Sequence, residues 1–199
     1  MDRHQLFLEK VTRLFFMYGA KSLTMDDIAR KFSMSKKTLY QYYKTKEDII
    51  NEVLNYLLDR ILEKLNAEMQ KGGTAVSLLV YSTDNMSDFI IEHRNVFVMQ
   101  MIKYYPELLR EHQLKIFERV VVFLEVNIRQ GREEGHYREN FDEDVYVRLF
   151  MQLFFSVDDS PLFENAADST VLCGNIIDFY LNSILTEKGR EILKELKEK

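Results

Sequence analysis

Length and composition place this chain of 199 residues among helical globular proteins. Hydrophobic residues make up 46% of it and charged residues 30%, with only seven glycines and two prolines, which excludes collagen-like, disulfide-framework and disordered chains. The net charge of −5 conceals a split, because residues 1–50 hold ten lysines and arginines against six acids and the remainder holds 17 against 26. A basic end on an acidic body is typical of a protein in which one region binds a polyanion.

The sequence predicts a cytoplasmic protein that does not enter the membrane. No uninterrupted apolar run exceeds five residues, whereas a spanning helix needs about 20. The amphipathic segment that follows His4 predicts no secretory signal. Cys173 is the only cysteine, so no intrachain disulfide can form, which is typical of a reducing compartment. Whether this thiol has a redox role is left open.

The first fifty residues predict three helices, of which the second and third are short. Gly19 is expected to end the first helix. The apolar stripe of that helix consists of Phe7, Val11, Leu14, Phe15 and Tyr18. Thr24 is a candidate N-cap for the second helix, with Asp27 in place of the usual Glu or Gln of a capping box. Ser35 can cap the third helix.

The rest of the chain predicts long helices separated by glycine and proline breaks. One helix runs from about Lys46 to Gln70 and ends at Gly72-Gly73, and Pro106 marks a second break. Apolar spacing predicts further helices, and these span Leu114–Arg132, residues 142–157 and residues 168–187. Gly131 and Gly135 are expected to close the first of these.

A turn and the C-terminal tail complete this outline. Asp158–Pro161 is expected to form a turn between the last two long helices. From Lys188 to Lys199 the Glu/Lys pairs favour a solvated helix, with a frayed tail as the alternative.

Residues 24–46 have the pattern of a helix-turn-helix. An inward set has the spacing to form a small core with the first helix, and it consists of Ile28, Ala29, Phe32, Met34, Leu39 and Tyr43. An outward set remains, consisting of Lys36, Lys37, Thr38, Tyr40, Gln41 and Tyr42. Long cations and hydroxyls at the start of a helix that fits the major groove favour DNA recognition. Lys44 and Lys46 follow at the next helix start, where amide donors and a cation suit a phosphate.

At these residues the sequence resembles the N-terminal DNA-binding domain of TetR-family transcription regulators. The match covers about residues 5–50, and its positions are Phe15, Gly19, Thr24, Ile28-Ala29, Ser33-Met34-Ser35, Thr38-Leu39-Tyr40, Tyr42-Tyr43, Lys46-Glu47 and Ile49. Ser33 stands where the family usually has a turn glycine, and Tyr42 where it usually has histidine. If the φ angle of Ser33 is positive, we expect serine to cost about 1 kcal/mol more than glycine.

The resemblance implies an all-α fold with a three-helix helix-turn-helix domain over residues 1–46. A larger helical domain for effector binding and dimerisation would cover residues 47–199. Lys36, Lys37 and Tyr40 would read base edges, and the residues that would hold phosphates are Thr24, Thr38, Tyr42 and Lys46. Because lysine readily reads guanine, the two lysines predict a G in each half-site, with contact to the DNA backbone alone as the alternative.

The implied function is that of a transcriptional regulator that binds double-stranded DNA. In this family such a protein is usually a repressor that a small-molecule effector releases from a palindromic operator. The sequence does not distinguish a repressor from an activator, and it identifies neither the operator nor the effector. A DNA-anchored structural or interaction protein without promoter control is the alternative function.

The last two long helices, residues 142–157 and 168–187, predict a homodimer interface. Apolar residues occupy nearly the whole circumference of both, and such helices must be covered on every side. A symmetric partner would supply the second cover in a four-helix interface. A deeply buried central helix in a monomer is the alternative interpretation.

Aromatic residues and methionines in the middle of the chain are candidates for an effector pocket. The candidates are Phe89, Phe97, Met101, Tyr104, Tyr105 and Phe117, with Met99 and Phe123 beside them. Flexible methionines with aromatic rings suit an adaptable apolar cavity. Ordinary core packing at helical spacing is the alternative interpretation for each of them.

No group of residues predicts catalysis, a cofactor or a metal site. The four histidines are scattered without metal-ligand spacing. Glu133, Glu134 and His136 are interpreted as a hydrophilic turn between helices rather than as metal ligands. A ligand carrier or enzyme with a vestigial DNA-binding domain is a third hypothesis, which requires that loss of Lys36 and Tyr40 leave DNA binding unchanged.

Overall fold

The computed structural model describes residues 2–82, 96–156 and 169–198. These ranges are helical, and the one pairing of the β type found among them is an isolated antiparallel bridge between Tyr137 and Leu185. The predicted all-α fold is confirmed. Within the same ranges, no helix has both the length and the apolar character that crossing a membrane would require.

The N-terminal part of the chain contains the predicted succession of one long, two short and one long helix. The helices are α1 (Arg3–Tyr18), α2 (Met25–Lys31), α3 (Lys36–Tyr42) and α4 (Lys46–Lys71). α1 ends at Gly19, whose backbone N–H donates to the carbonyl oxygen of Phe15 at 2.7 Å. Gly72 and Gly73 both have positive φ angles and separate α4 from α5, which covers residues 75–82. The predicted breaks at Gly19 and at the double glycine are confirmed.

The next helices are α6 (Val96–Tyr104) and α7 (Pro106–Glu133). The predicted start of α7 at Leu114 is wrong, because the helix already begins at Pro106. Proline is favoured at the first helical position, where its missing N–H needs no partner. Pro106 therefore separates two helices and also starts the second. Gly131 lies inside α7 rather than after it.

The remaining helices are α8 (Glu143–Ser156), α9 (Ser169–Ile184) and α10 (Glu187–Lys197). The predicted helix over residues 168–187 is wrong at its end, because α9 stops at Ile184. Leu185 pairs with Tyr137, and the Thr186 hydroxyl accepts the Gly189 N–H as the N-cap of α10. The tail predicted to be a solvated helix is thus helical up to Lys197. The predicted turn at Asp158–Pro161 lies outside the described residues.

Two compact units divide the chain, the first comprising residues 1–62 and 92–114 and the second residues 63–91 and 115–199. The domain boundary expected after residue 46 falls inside the first unit and stays a prediction. In the first unit α1 packs on α6 and α2 packs on α3. Its buried side chains include Val11, Phe15, Ile28, Leu39, Ile49, Ile50, Val53, Phe97 and Met101.

The second unit has its own hydrophobic core, to which α8 and α9 contribute as a packed pair. Phe150 and Tyr180 lie with ring centroids 4.4 Å apart. The Tyr137 hydroxyl donates to the Asn127 side-chain oxygen at 2.9 Å, and burial raises the pKa of this tyrosine. Cys173 is 1% exposed and belongs to this core.

Candidate nucleic-acid interface

Side-chain caps position the two short helices of the helix-turn-helix. The Thr24 hydroxyl accepts the Asp27 N–H at 3.1 Å, and the Asp27 carboxylate accepts the Thr24 N–H at 3.1 Å and its hydroxyl at 2.6 Å. The predicted N-cap at Thr24 is confirmed, and Asp27, which the sequence offers only as an imperfect capping-box residue, forms both bonds of the box. These hydrogen bonds lower the pKa of Asp27. Ser35 caps α3 by accepting the Thr38 N–H at 3.0 Å. Each such cap is typically worth about 1 kcal/mol.

The turn between α2 and α3 depends on a left-handed residue. Ser33 has a φ angle of 52°. Its N–H donates to the Arg30 carbonyl oxygen at 3.1 Å, and the Met34 N–H donates to the Ala29 carbonyl oxygen at 3.0 Å. These two bonds form a Schellman motif, which glycine usually completes. The condition under which we expect serine to cost more than glycine here, a positive φ, is thus met.

One face of α3 is buried and the opposite face is open. Leu39 is 1% exposed and holds the helix in the core, as expected from its place in the inward set. Lys37, Tyr40, Gln41 and Tyr42 are exposed, Tyr42 by 76%. Because α3 has only seven residues, these side chains form one short outward surface. Its mix of cation, amide and hydroxyls can reach base edges and phosphates.

Lys36 is held by a carboxylate of the neighbouring helix. Its Nζ lies 2.8 Å from Oδ1 of Asp26 and 3.0 Å from Oδ2, and both side chains are more than half exposed. The hydrogen bond and charge of Asp26 raise the pKa of this lysine. The same Nζ lies 6.0 Å from the centre of the Tyr40 ring. Asp26 cannot be paired with Lys36 from the sequence, since the spacing of ten residues belongs to no local helical pattern.

The four residues predicted to hold phosphates differ in the hydrogen bonds that they already make. Tyr42 projects into solvent, whereas the hydroxyls of Thr24 and Thr38 already take part in the caps of α2 and α3. The Lys46 ammonium donates to the Leu23 carbonyl oxygen at 3.0 Å. Only one of its three N–H donors is needed for this bond, so two remain.

A groove of about 580 Å³ lies beside these residues in the first unit. Phe7 of α1 and Tyr43 both line it, with their ring centroids 5.5 Å apart. Burial, together with a hydrogen bond to Glu52 at 2.8 Å, raises the pKa of Tyr43. Arg3 and Lys10 of α1 line the same groove as Thr38 and Tyr42 of α3. Sequence reasoning did not connect these two cations with α3, because only the packing of α1 brings them together.

Helix α6 packs against α1 and the loop before α2. Phe97 stacks on Phe15 with ring centroids 5.6 Å apart and 2° between the ring planes. The Gln100 side-chain oxygen accepts the Lys21 N–H in the loop that leads to α2. A Cβ atom on Gly19 would lie 2.5 Å from the end of the Gln100 side chain, which is flexible enough to move. The φ angle of 78° is therefore what favours glycine at this loop position.

The predicted effector-pocket residues do not come together in one unit. Phe97 and Met101 are buried in the first unit. Tyr104 and Tyr105, also in the first unit, lie with their ring centres 5.2 and 5.8 Å from the Lys21 and Lys46 ammonium groups. Phe117 packs against the core of the second unit, and Phe89 lies outside the described residues. The pocket therefore stays a prediction.

Glu134 and His136 take part in the second unit's hydrogen bonding. His136 Nδ1 lies 2.8 Å from Oε2 of Glu134, which also accepts the Ala75 N–H at 2.9 Å. Burial would raise the pKa of Glu134, but its hydrogen bonds to Ala75, Gln130 and His136 lower it overall. Among residues 2–82, 96–156 and 169–198, no group of three or more His, Cys, Asp or Glu has the arrangement of a metal site.

Comparison with known proteins identifies the same N-terminal segment. The family model described as "Bacterial regulatory proteins, tetR family" matches residues 7–53. The HTH-type transcriptional regulator YhgD of Bacillus subtilis is 34% identical over 70 residues, which are 35% of this chain and 37% of YhgD. The HTH-type transcriptional repressor KstR2 of Mycolicibacterium smegmatis is 28% identical over 158 residues, 74% of each chain. The matched stretch thus spans little more than a third of YhgD.

Solved structures share the fold over most of the chain. A transcriptional regulator from Cytophaga hutchinsonii has a TM-score of 0.76 at 18% identity and covers 92% of this chain and 99% of its own. The transcriptional regulator FadR from Bacillus subtilis, in complex with stearoyl-CoA, has a TM-score of 0.64 at 18% identity and covers 90% and 98%. At such identities the likeness concerns the fold.

Proposed function

We propose that this chain, which belongs to the TetR family of bacterial regulatory proteins, is a dimeric repressor that binds a palindromic operator. Its recognition element would be α3, and a small-molecule effector would release the DNA. The observation that carries this proposal is the short outward surface of α3, a helix whose start is capped by Ser35 as that of α2 is by Thr24. Surfaces of this kind enter the major groove in helix-turn-helix proteins.

Lys36, Lys37 and Tyr40 are proposed as the base-reading residues. Lys37 and Tyr40 are exposed on α3, and Lys36 lies at its first position with its ammonium near the Tyr40 ring. Tyr42 and Lys46 are proposed to contact phosphates. Thr24 and Thr38 would contribute to phosphate binding at the starts of α2 and α3, where backbone amides and the helix dipole favour an anion.

The homodimer is proposed to form through α8 and α9 of the second unit. The large apolar side chains that these packed helices leave open are Val145, Leu149, Val171 and Phe179, each between 48% and 67% exposed. Apolar positions open on two adjacent helices are typical of a protein interface. Leu149→Asp or Phe179→Asp should therefore halve the mass measured by light scattering, whereas Lys194→Asp, at an exposed position of α10, should leave it unchanged.

An effector is proposed because this fold holds small molecules in relatives, as the FadR complex with stearoyl-CoA illustrates. The effector would favour a dimer conformation that no longer fits the operator. To do so it must bind that conformation more tightly, typically by about 1–3 kcal/mol. Once the operator has located the target genes, candidate ligands can be tested by their release of the DNA.

Selection of bound sequences from a random duplex pool at near-physiological salt tests the function directly. We expect a palindrome with half-sites about 34–36 Å apart. Lys36→Ala and Tyr40→Ala should each weaken binding to that palindrome by about 1–3 kcal/mol. Lys194→Ala, in the second unit, serves as the charge control. No enrichment, with only salt-sensitive binding, would refute the proposal and favour a DNA-anchored structural protein.

The salt dependence of binding tests the phosphate role of Lys46. Lys46→Ala should weaken binding to all sequences evenly and reduce the slope of log affinity against log salt by about one. An unchanged slope would mean that the bond to the Leu23 carbonyl is the principal role of this ammonium.

A further inference from the structure

An acidic side chain lies on the surface that should face DNA. Asp26 is the second residue of α2, its side chain is 55% exposed, and both of its carboxylate oxygens lie within 3.0 Å of Lys36 Nζ. It is not needed for the cap of α2, because Asp27 forms the capping box with Thr24. The carboxylate therefore has Lys36 as its partner rather than the backbone.

Folding stability does not account for this pair. Ion pairs between side chains as exposed as these contribute little to stability, because water screens them and both side chains lose freedom. Near a polyanion, moreover, a carboxylate is repelled, and a surface evolved only for affinity would carry a neutral residue here. A carboxylate that weakens binding to all DNA has a function if it weakens binding to the wrong sequences more than binding to the operator.

The geometry leaves Lys36 able to read a base while it is held. Its ammonium has three N–H donors, and the two oxygens of Asp26 accept at most two, so at least one stays available for guanine O6 or N7. The centre of the Tyr40 ring lies 6.0 Å from the same ammonium. For the adjacent Lys37, no ion pair is found with any residue that the structure describes. The two neighbouring lysines are thus unequal.

We propose that Asp26 is a specificity-determining residue that acts through Lys36. By holding the ammonium beside α2, it favours the DNA register in which a base acceptor meets the remaining N–H. In any other register Lys36 would have to leave for a phosphate, and an unpaired carboxylate would then face the DNA backbone. Specificity through such a repulsive element is common in selective interfaces. This inference rests on the proposed DNA-binding function.

The test is a double-mutant cycle on the palindrome recovered by selection and on a scrambled duplex of equal length. Asp26→Asn should bind the scrambled duplex more tightly, because one negative charge is removed, and should lower the ratio of specific to scrambled affinity about tenfold. In the Lys36→Ala background, the same change should alter that ratio by less than about twofold. Selection with Asp26→Asn should also show weaker preference at one position of each half-site.

Glu47→Gln is the matched control, since Glu47 is an exposed acid in the first turn of α4. It should strengthen binding to both duplexes equally and leave their ratio unchanged. An unchanged ratio for Asp26→Asn, or an equal fall in the Lys36→Ala background, would overturn the inference. Failure of the wild type to prefer any sequence would instead refute the proposed function, so the two failures are distinguishable. Far-UV circular dichroism checks that each variant stays folded.

Discussion

Replacement of Ser33 with glycine is expected to stabilise the first unit. Ser33 closes the Schellman motif after α2 with a φ angle of 52°. Its side chain is exposed, and no hydrogen bond of its hydroxyl is found with the residues that the structure describes. The substitution therefore relieves a backbone conformation that disfavours a Cβ atom and removes few other contacts.

The expected gain is the difference between two backbone effects. A residue with a Cβ atom in the left-handed region costs about 1–2 kcal/mol. Glycine offsets part of this, because its more flexible unfolded chain loses about 0.4–1 kcal/mol more on folding. We therefore expect Ser33→Gly to raise the free energy of unfolding by about 0.5–1 kcal/mol.

Urea unfolding followed by circular dichroism measures this change. Ser22→Gly is the control for glycine flexibility, because Ser22 is exposed in the same unit and is not among the residues with positive φ. It also loses the long hydrogen bond, 3.5 Å, that its hydroxyl accepts from the Gln100 amide. We expect the control to be neutral or slightly destabilised, and Ser33→Ala to gain nothing, since alanine keeps the Cβ atom. If Ser33→Gly loses as much stability as Ser22→Gly, the left-handed serine is not a source of strain and the reasoning is wrong.

Three further changes test the packing around the interface and in the second unit. Gln100→Leu should accelerate hydrogen exchange at the Lys21 amide, which loses its acceptor, and slow exchange like that of the wild type would contradict the contact. Gly131→Ala would place a Cβ atom 2.2 Å from the Tyr137 ring and should lower stability by about 1–3 kcal/mol, so a wild-type melting temperature would refute the close approach. Because hydrogen bonds lower the folded-state pKa of Glu134 below its ordinary 4.5, its contribution to stability is present above that pH and is lost as the pH falls through the folded pKa. Acid unfolding of Glu134→Gln should therefore depend less on pH below 4.5, and an identical pH profile would exclude the effect.

Local sequence was sufficient to predict the caps and the outward surface of α3. Thr24, Asp27 and Ser35 lie within three residues of the amides or carboxylates that they bond. The burial of Leu39 follows from its place in the short apolar pattern. These features depend on chain neighbours only, so spacing and residue type predicted them.

Contacts between distant residues escaped sequence reasoning. Lys21 and Gln100 are 79 positions apart, and Lys36 and Asp26 lie on different helices. The start of α7 was also placed too late, because Pro106 was interpreted as a break alone although it suits a first helical position. For the two distant contacts, the sequence contains the right residues without any periodicity that pairs them, whereas the signal at Pro106 is local.

The effector-pocket candidates also show that sequence spacing does not reveal tertiary contacts. Methionine and aromatic residues at helical spacing have one appearance in sequence, whether they line a cavity or fill a core. Because α6 packs on α1, Phe97 lies against Phe15. Phe117, in contrast, packs against the hydrophobic core of the second unit. Which of the two roles a residue has depends on the unit in which its helix packs, and the sequence does not give that assignment.

The sequence by itself determined the helical fold, the caps and turn of the helix-turn-helix, and the residue types that α3 presents, because these follow from interactions within about four positions along the chain. Tertiary structure alone decided that Asp26 holds Lys36, that Gln100 supports the loop before α2 and that Arg3 and Lys10 share a groove with Tyr42. The physical reason is that such contacts depend on how the helices pack. Helix packing is determined by the shapes of many side chains together rather than by a local pattern.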